Sequence, residues 1–435
     1  MRRPACYILL ISLYGLLGCA SPPEVDYDSL RAKFASDPQS HIDFMRQEGE
    51  RITGVKFVDG NSVELLRDGA AAYPAMLKAI RGAKHRIDME SYEFDDGAGK
   101  LFAAALLARH KAGVEVNLIY DSWGSSDTTS DLFDRLRRGG VHVLEYNPTD
   151  PTSIIDLSIN ERDHRKMLVI DGKTAFTGGI NISGVYKRKL RHIFHFDRDD
   201  EDVNYDKLPW RDTEAKIEGP VVAEFEHLFM QTWKRQHGDD IPAPPQTPTQ
   251  SKGDLSVEVV DGTPDRDRYA IYKSLLMAIA LAQSSVHLTT GFFVPTPDLV
   301  DALEEAAQRG VDVTLVLPSE SDSDLALKAG RGYYAELMKA GVKIYERQGA
   351  VLHAKTSIID GTWSMIGSSN LDWRSVLYNN ECNALILGTK FGQQMEDMFK
   401  DDLTQSRHIE PQRWSDRSFW ESLDEWKARQ VENLL

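Results

Sequence analysis

Residues 353–372, HAKTSIIDGTWSMIGSSNLD, decide how this chain is organised. The apolar runs on either side of Asp360-Gly361 predict two strands joined by a tight turn, because Asp-Gly is a strong hairpin signal. His353 and Lys355 are two positions apart, so their side chains leave the same face of the first strand. The hairpin therefore presents an imidazole and a cation together.

The returning strand adds two hydrogen-bonding side chains to that face. Ser368 and Asn370 are again two positions apart, and Gly367 before them lets the backbone approach a bound group closely. An imidazole, a fixed cation and two polar side chains at one point suit a phosphate, whose oxygens need hydrogen bonds and neutralised charge. The hairpin is therefore a candidate phosphate site.

The pattern occurs a second time in residues 164–183, HRKMLVIDGKTAFTGGINIS. A lone His-x-Lys usually belongs to an ordinary surface strand, but two copies of a seven-position pattern in one chain are not plausibly chance. Gly179 stands where the other copy has Ser368, so this copy lacks one hydroxyl. The matching positions are His164, Lys166, Asp171, Gly178 and Asn181.

The paired pattern resembles the HKD signature of the phospholipase D superfamily, H-x-K-x4-D-x6-G-[GS]-x-N, intact in both copies. The resemblance implies two homologous halves that face each other across one shared active-site cleft. It also implies that one histidine attacks phosphorus and forms a phosphohistidine, while the other protonates the leaving oxygen. No metal and no cofactor is expected, and the sequence shows no carboxylate cluster or Cys/His set that would hold one.

The family pattern assigns roles to the motif residues. His164 is expected to be the nucleophile and His353 the general acid, since an imidazole with a pKa of about 6.5 serves either task near neutral pH. Asp171 and Asp360 complete the catalytic motif, but they follow their strands on the face opposite the lysines and are expected to fix local structure. The groups expected to hold the phosphate oxygens are Lys166, Lys355, Asn181, Ser368 and Asn370.

Two further carboxylates are expected to orient the histidines. Glu381, in the sequence NNE, is placed like the carboxylate that orients a motif histidine in the family. Asp212, in the sequence WRDT, is its expected counterpart in the first half, and a solvated loop acid is the alternative for this residue. The candidate site therefore draws side chains from both halves of the chain.

Apolar, β-rich runs alternate with helical segments twice along the chain. AGVEVNLIY and GGVHVLEY correspond to RGVDVTLVL and AGVKIYER further on. The alternation predicts an α/β fold around a mixed sheet and, among its helices, one over 325–340. The family resemblance implies that the two homologous halves are phospholipase D-like α/β/α sandwiches. The expected organisation is a lipoprotein signal peptide at 1–18, a lipidated tether and lead-in at 19–60, a first half at 61–240, a Pro-rich linker at 241–254 and a second half at 255–435.

The first nineteen residues predict an export signal. Arg2 and Arg3 precede a short apolar run at 8–17, which is too short to span a bilayer. The run ends in LLGC, which resembles a bacterial lipobox and predicts that Cys19 is lipidated; an ordinary signal peptide is the alternative. Ala20 after the cysteine favours an outer-membrane lipoprotein that faces the periplasm. Only one other cysteine would remain in the mature chain, so no intrachain disulfide is expected.

The composition is that of a globular enzyme, with 41% hydrophobic residues and a net charge of −16 over 435 residues. Such acidity disfavours broad binding to nucleic acid, which normally needs a basic footprint, although it leaves room for a small basic pocket. The expected partners are phospholipid substrates and a membrane surface reached through the N-terminal lipid. No nucleic acid is expected, and the oligomeric state stays open.

Several phrases indicate one branch of the superfamily. YPAMLKAIRGAKHRIDMESYEF, WRDTEAKIEGPVV, SSNLDWRS and NNECNALILG together resemble bacterial cardiolipin synthases. The resemblance implies a membrane-anchored phosphatidyltransferase that passes a phosphatidyl group to a hydroxyl of phosphatidylglycerol. The alternative is a phospholipase D or a phosphodiesterase nuclease that uses water instead. A non-catalytic lipid-binding lipoprotein is disfavoured because both motifs are complete.

Two segments keep two interpretations each. Residues 184–208 run basic and then acidic, and they form either a loop that meets lipid headgroups at the cleft mouth or a charged surface excursion. The tail contains Trp414, Trp420 and Trp426, and it is either an aromatic belt at a membrane interface or a helix that caps the second half.

Overall fold

The structure is a computed structural model, and it describes residues 38–148, 160–189, 208–244, 250–264 and 269–432. The predicted fold class is confirmed: helices cover a mixed sheet, and the two halves repeat one order of elements. The signal segment with Cys19 lies outside the described residues, as do part of the tether, part of the linker and most of the loop at 184–208. The domain boundaries stay predictions.

Helices and strands alternate along both halves, as expected for layered α/β packing. The first half contains α1 (Pro38–Thr53), β1 (Val58–Arg67), α2 (Asp68–Gly82), β2 (Arg86–Ser91), α3 (Gly99–Lys111), β3 (Glu115–Asp121), α4 (Ser130–Arg138), β4 (His142–Tyr146), β5 (Arg162–Asp163), β6 (Lys166–Ile170), β7 (Thr174–Gly178), a 3-10 helix (Gly184–Lys189), β8 (Trp210–Arg211), β9 (Thr213–Glu218) and α5 (Val222–Arg235). The second half contains β10 (Leu255–Asp261), α6 (Ala270–Leu281), β11 (Ser285–Thr290), α7 (Pro297–Gln308), β12 (Asp312–Pro318), α8 (Asp324–Arg331), α9 (Tyr334–Ala340), β13 (Lys343–Arg347), β14 (Val351–Leu352), β15 (Lys355–Ile359), β16 (Trp363–Gly367), α10 (Trp373–Leu377), β17 (Asn379–Asn380), β18 (Cys382–Leu387), α11 (Thr389–Thr404), β19 (Ser406–His408), α12 (Pro411–Ser415) and α13 (Phe419–Arg429).

One 15-stranded sheet runs through both halves of the described chain. Its strand order is β19-β13-β12-β11-β15-β16-β18-β10-β1-β9-β7-β6-β2-β3-β4. At its centre β1 and β10 pair antiparallel, with Val58 opposite Val257, and join the two half-sheets. In each half the strands that alternate with helices pair in parallel, while the hairpin of the HKD motif pairs antiparallel. The sheet is therefore mixed and repeats its order outward from the centre.

Buried aromatic and aliphatic side chains hold the layers together. Phe102 of α3 belongs to the first-half core, and Leu303 of α7 belongs to the second-half core. Phe229 of α5 and Phe399 of α11 share a third cluster with strands of both halves. Each such side chain contributes about 1.5 to 3 kcal/mol relative to exposure. Met45 of α1 also enters the second-half core, so the lead-in helix packs against the half that follows later in the chain.

The two motif aspartates lie in the hairpin turns, away from the cleft. Asp171 and Asp360 have φ values of 53° and 51°, and glycines with positive φ follow both, as a type I′ turn requires. The carboxylate of Asp171 accepts backbone N–H groups from residues 84 to 86 at 2.7 to 2.9 Å. The carboxylate of Asp360 does the same with residues 283 to 285. Both residues therefore brace the start of a neighbouring strand, which corrects their grouping with the catalytic side chains.

The helix expected over 325–340 is broken into α8 and α9. The break falls beside Gly330, where a Cβ atom would come within 2.3 Å of the carbonyl oxygen of Phe293. The sequence pattern of residues 325–340 does not predict this contact, because the carbonyl comes from a distant loop. The glycine allows the close approach, and α8 ends one residue later, at Arg331.

The aromatic tail forms α12 and α13. Trp414 packs against the second-half core, and α13 packs against α8. Trp420 and Trp426 are exposed, with 71% and 58% of their surface accessible. The packing fits the capping-helix interpretation, while the two exposed rings leave the interface interpretation open. Within the described residues, no helix combines the length and the apolar character needed to cross a membrane.

Candidate active site

A cavity of about 300 Å³ lies where the two halves meet. His164 and His353 both line it, and so do Asn181 and Asn370. The structure therefore brings together the two hairpins that the sequence singled out, and it places their histidines on one cavity. A phosphate group between the two imidazoles would contact side chains from both copies of the motif.

Strand pairs that cross between the halves hold the two histidines. In one pair, β5 of the first half runs parallel to β17 of the second, and the His164 N–H donates to the carbonyl of Asn380 at 2.9 Å. In the other pair, β14 of the second half runs parallel to β8 of the first, and the His353 N–H donates to the carbonyl of Arg211 at 2.8 Å. Each histidine backbone is therefore fixed by the opposite half.

The imidazole of His164 is paired with a buried carboxylate. Its Nδ1 lies 3.0 and 3.1 Å from the two carboxylate oxygens of Glu381. Burial favours the neutral acid, yet His164 and Lys166 together hold the pKa of Glu381 below its ordinary value. Burial lowers the pKa of His164 to about 4, although Glu381 opposes that shift. A neutral imidazole that donates from Nδ1 keeps a lone pair on Nε2, and a nucleophile needs that lone pair.

The imidazole of His353 has an equivalent partner. Its Nδ1 lies 2.7 Å from Oδ2 of Asp212, which is fully buried, so the solvated-loop alternative for this aspartate does not apply. Burial alone would raise the pKa of Asp212, but His353 and Lys355 hold it below its ordinary value. Burial and the charge of Lys355 lower the pKa of His353.

The carboxylates are crossed between the halves. Glu381 belongs to the second half and holds His164 of the first, while Asp212 belongs to the first half and holds His353 of the second. Both carboxylates were predicted from the sequence, but the histidine that each would meet was not. The pairing follows from contacts between β5 and β17 and between β8 and β14, which join residues far apart in the chain.

Two buried lysines supply positive charge beneath the histidines. The Nζ of Lys166 donates to the carbonyl of His164 at 2.6 Å, and the Nζ of Lys355 donates to the carbonyl of His353. Burial lowers the pKa of Lys166 to about 7 and that of Lys355 to about 8. A phosphodiester anion between them would favour their charged forms. Among the described residues, no group of three or more His, Cys, Asp or Glu side chains could hold a metal ion.

The polar side chains of the returning strands divide into two kinds. Asn181 and Asn370 line the cavity, and Oδ1 of Asn370 is buried without a hydrogen-bond partner among the described residues. Ser368 was predicted to bind phosphate, but in the structure its hydroxyl contacts other groups of the protein. Its hydroxyl donates to the carboxylate of Glu381 and accepts the N–H of Cys382 at 3.0 Å. Ser368 therefore supports the carboxylate behind His164, because its strand runs beside the strand that begins at Cys382.

Tyr186 is a site residue that was not predicted from the sequence. A Cβ atom at Gly179 would come within 2.2 Å of Oδ1 of Asp212, so the first half has no room for the serine of the second half. The hydroxyl of Tyr186 donates instead to Oδ2 of Asp212 at 2.7 Å and lies 3.2 Å from Nδ1 of His353. The missing hydroxyl at Gly179 was a signal that another donor was needed, but nothing local indicated Tyr186.

The cavity wall contains further groups outside the motifs. The ring of Tyr92 lies 5.0 Å from the imidazole of His164, and the ring of Trp210 lies 4.9 Å from that of His353. Glu93 also lines the cavity, and burial raises its pKa to about 7. Arg162 and Arg374 also line the cavity. None of these five residues was predicted, because no motif marks them.

A known family matches more than half of the chain, and known relatives match about nine-tenths of it. The family model described as "Cardiolipin synthase, PLD-like domain" matches residues 76–191 and 275–403. Cardiolipin synthase 2 of Bacillus cereus is 32% identical over 399 residues, which cover 91% of this chain and 75% of the relative. Cardiolipin synthase A of Salmonella paratyphi B is 31% identical over 406 residues, which cover 92% of this chain and 81% of the relative.

Solved structures share the fold at low sequence identity. Phosphatidylserine synthase of Haemophilus influenzae matches 90% of this chain and 99% of its own, with a TM-score of 0.62 and 14% identity. Polyphosphate kinase of Porphyromonas gingivalis matches 86% of this chain and 54% of its own, with a TM-score of 0.54 and 12% identity. At these identities the likeness shows the fold alone.

The expected location needs correction. An outer-membrane lipoprotein facing the periplasm was inferred from a short segment ending at Cys19, but the relatives that match nine-tenths of the chain are cardiolipin synthases, and nothing in the family model or these relatives indicates such a lipoprotein. A short pattern after an apolar run arises far more easily by chance than similarity over 399 residues. By that longer similarity and by both copies of its motif, the chain belongs to the cardiolipin synthase family of phospholipase D-like enzymes.

Proposed function

We propose that this phosphatidyltransferase makes cardiolipin by moving the phosphatidyl group of one phosphatidylglycerol onto a hydroxyl of a second. The observation that supports this most is a pair of separately held histidines on one cavity, in a chain whose relatives are named cardiolipin synthases. A double displacement needs a nucleophile and a proton donor on opposite sides of one phosphorus. Two imidazoles held by different carboxylates suit these two tasks.

In the first step, Nε2 of His164 attacks the phosphorus of the donor lipid. A P–N bond forms, the bond between phosphorus and the oxygen of the headgroup glycerol breaks, and His353 gives its proton to that oxygen. The buried carboxylate of Glu381 stabilises the positive charge that develops on His164. The negative charge of the donor lipid raises the pKa of His353 and so opposes the effect of burial, which lets this histidine hold the proton it must give.

In the second step, a hydroxyl of the acceptor lipid attacks the phosphohistidine. His353 removes the proton of that hydroxyl, the P–O bond forms, and the P–N bond to His164 breaks. Lys166, Lys355, Asn181 and Asn370 are expected to hold the non-bridging oxygens through both steps, because they converge on the cavity or its base. The reaction ends with both histidines in their starting protonation states.

Hydrolysis of the same bond by water is the second candidate, since the two reactions differ only in the acceptor. We would incubate purified protein with phosphatidylglycerol, and separately with phosphatidylethanolamine, and separate the lipid and water-soluble products. Cardiolipin together with free glycerol is the expected result. Phosphatidic acid as the only lipid product would show a phospholipase and would refute the transfer reaction.

A further inference from the structure

The two walls of the cleft differ in charge at equivalent positions. In the pair of strands before His164, Arg162 lies opposite Asn379. In the equivalent pair before His353, Val351 lies opposite Trp210. The pair beside His164 therefore carries a guanidinium and an amide, and the pair beside His353 carries an isopropyl group and an indole. The two copies of the motif supply the same histidine, lysine and asparagine side chains, so this difference adds a positive charge beside the cavity on one side only.

A second arginine lies on the charged wall. Arg374 follows Asn370 by four positions, and the equivalent residue after Asn181 is Val185. Arg374 lines the same cavity as Arg162, is only partly buried, and donates to the carbonyl of Asn160 at 3.3 Å. Among the described residues it forms no ion pair. Two arginines therefore stand on one wall, and valines stand at both equivalent positions.

Arg162 is held in place by neighbours within the wall. Its side chain is 3% exposed, and its Nη1 donates to the hydroxyl of Ser122 at 3.1 Å and to the carbonyl of Asn147 at 3.2 Å. The carboxylate of Asp121 lies 3.8 Å from the same nitrogen, and it also accepts N–H groups of the loop after β3. A buried arginine is costly unless its charge is paired and hydrogen-bonded. Asp121, Ser122 and Asn147 provide this for Arg162, and they fix its side chain at the wall of the cavity.

We propose that Arg162 and Arg374 form a second phosphate subsite, which binds the phosphodiester of the acceptor lipid. The inference rests on the proposed function, because an acceptor phosphatidylglycerol brings one phosphate that is not cleaved. Cardiolipin likewise has two phosphates joined by a glycerol. A planar guanidinium can donate two parallel hydrogen bonds to two oxygens of one phosphate, whereas the lysines act as point charges beside the scissile phosphorus.

Acidic side chains on the cavity limit what the subsite accepts. Asp322 and Asp372 also line it, and burial raises the pKa of Asp372 to about 6. The carboxylate of Asp372 caps the N-terminus of α10, where it accepts the N–H of Ser375 at 2.7 Å. These acids repel each negative charge that a ligand adds. The subsite therefore favours a phosphodiester, which carries one negative charge, over a more highly charged ligand.

The test compares two acceptors of the same donor in nonionic detergent micelles, so that surface charge does not vary. Exchange of radiolabelled glycerol into phosphatidylglycerol uses an uncharged acceptor, whereas cardiolipin formation uses an acceptor with a phosphate. Arg374→Gln should slow cardiolipin formation by about 10- to 150-fold at a low concentration of phosphatidylglycerol, which does not saturate the acceptor subsite; this is the range expected for a lost hydrogen bond to a charged group. In the same variant, glycerol exchange should stay within about twofold of its rate in the unchanged protein, because glycerol carries no phosphate that could contact Arg374.

Two control variants test whether the loss comes from the position and shape of the Arg374 side chain. Arg413→Gln removes an exposed cation outside the cavity and should affect neither reaction. Arg374→Lys should recover part of the lost cardiolipin formation, because it keeps the charge and loses the planar fork. Equal loss of both reactions in Arg374→Gln, or no loss, would overturn the subsite. Absence of both products with the unchanged protein would instead show that the proposed function fails.

Free phosphate is the other ligand of the same chemistry. Inorganic phosphate is therefore added to the glycerol-exchange assay with the unchanged protein and with Arg374→Gln. If the arginines bind the acceptor lipid, phosphate at low millimolar concentration should leave glycerol exchange unchanged in both proteins. Inhibition of the unchanged protein that disappears in the variant would show a site for the free ion and would overturn the assignment to the acceptor.

Discussion

Replacing the buried carboxylates one at a time tests the crossed pairing of the site. Glu381→Gln keeps the size of the side chain that contacts Nδ1 of His164 at 3.0 and 3.1 Å but removes its charge. Asp212→Asn does the same for His353, whose Nδ1 lies 2.7 Å from the aspartate. If each carboxylate serves the histidine of the opposite half, each variant should impair one chemical role and spare the other.

The expected magnitude follows from the contacts that lose their charge. A hydrogen bond to a charged group contributes about 1.5 to 3 kcal/mol, and about 1.4 kcal/mol corresponds to a factor of ten in rate. Both variants should therefore form cardiolipin about 10- to 150-fold more slowly. Natural lipid alone cannot distinguish them, because its reaction needs both the nucleophile and the acid.

An activated substrate separates the two carboxylates. The nitrophenol of a nitrophenyl phosphodiester leaves with little protonation, and general acid help is otherwise worth about 100- to 10,000-fold. Asp212→Asn should therefore keep the initial burst of nitrophenol, whereas Glu381→Gln should slow the burst by the factor lost on natural lipid. Glu346→Gln is the matched control, since this fully buried carboxylate pairs with Arg331 and Arg407 outside the cavity. A burst lost in Asp212→Asn and kept in Glu381→Gln would refute the assignment of the two histidines.

Three further predictions concern the rest of the site. Tyr186→Phe removes the hydroxyl that donates to the carboxylate of Asp212 at 2.7 Å, so turnover of natural lipid should fall by about 10- to 150-fold, the value of a hydrogen bond to a charged group, while the nitrophenol burst stays unchanged; loss of the burst would contradict this. The value of kcat/KM should fall as the pH rises, because His353, whose pKa lies below its ordinary value, loses the proton that it must give to the leaving oxygen, and because Lys166 and Lys355 become neutral above about 7 to 8. It should also fall below about 4 as His164 becomes protonated. A profile of kcat/KM from pH 3 to 10 checks this, and an alkaline limb that begins only near the ordinary lysine pKa of about 10.4 would count against it. EDTA should leave cardiolipin formation unchanged, since lysine and asparagine side chains are assigned to the phosphate oxygens, and a loss restored by one divalent ion would contradict that assignment.

The parts of the site that follow from short-range geometry could be predicted from the sequence. Two residues separated by one position share a strand face, so His164 and Lys166 in one hairpin, and His353 and Lys355 in the other, were identified without a structure. The turn aspartates were expected to fix local structure for the same reason. Repetition of the pattern then indicated two halves and one cleft.

The parts that depend on long-range contacts could not be predicted. The pairing of Glu381 with His164 depends on strands more than 200 residues apart. Ser368 turns toward Glu381 because a neighbouring strand lies there, although its spacing alone predicted a phosphate ligand. Gly330, near the break between α8 and α9, is approached by the carbonyl of Phe293, which comes from a distant part of the chain. In each case the deciding atom comes from a segment that the local pattern does not include.

The charged wall of the cleft shows a different limit of sequence patterns. Arg162 and Arg374 lie close to the two motifs in sequence, but neither belongs to the repeated pattern, so no spacing rule selects them. They stand out only when equivalent positions of the two halves are compared in the structure. Differences between the repeats, rather than their similarities, therefore indicate where the acceptor lipid is recognised.

Locating the covalent intermediate tests the central claim most directly. The protein would be mixed with phosphatidylglycerol labelled in its phosphate, quenched within one turnover and digested, and the modified residue would be identified by mass spectrometry. We predict a phosphatidyl group on His164, and no such adduct in His164→Ala. An adduct on His353 would exchange the roles of the two histidines, and product formation without any histidine adduct would contradict the double displacement itself.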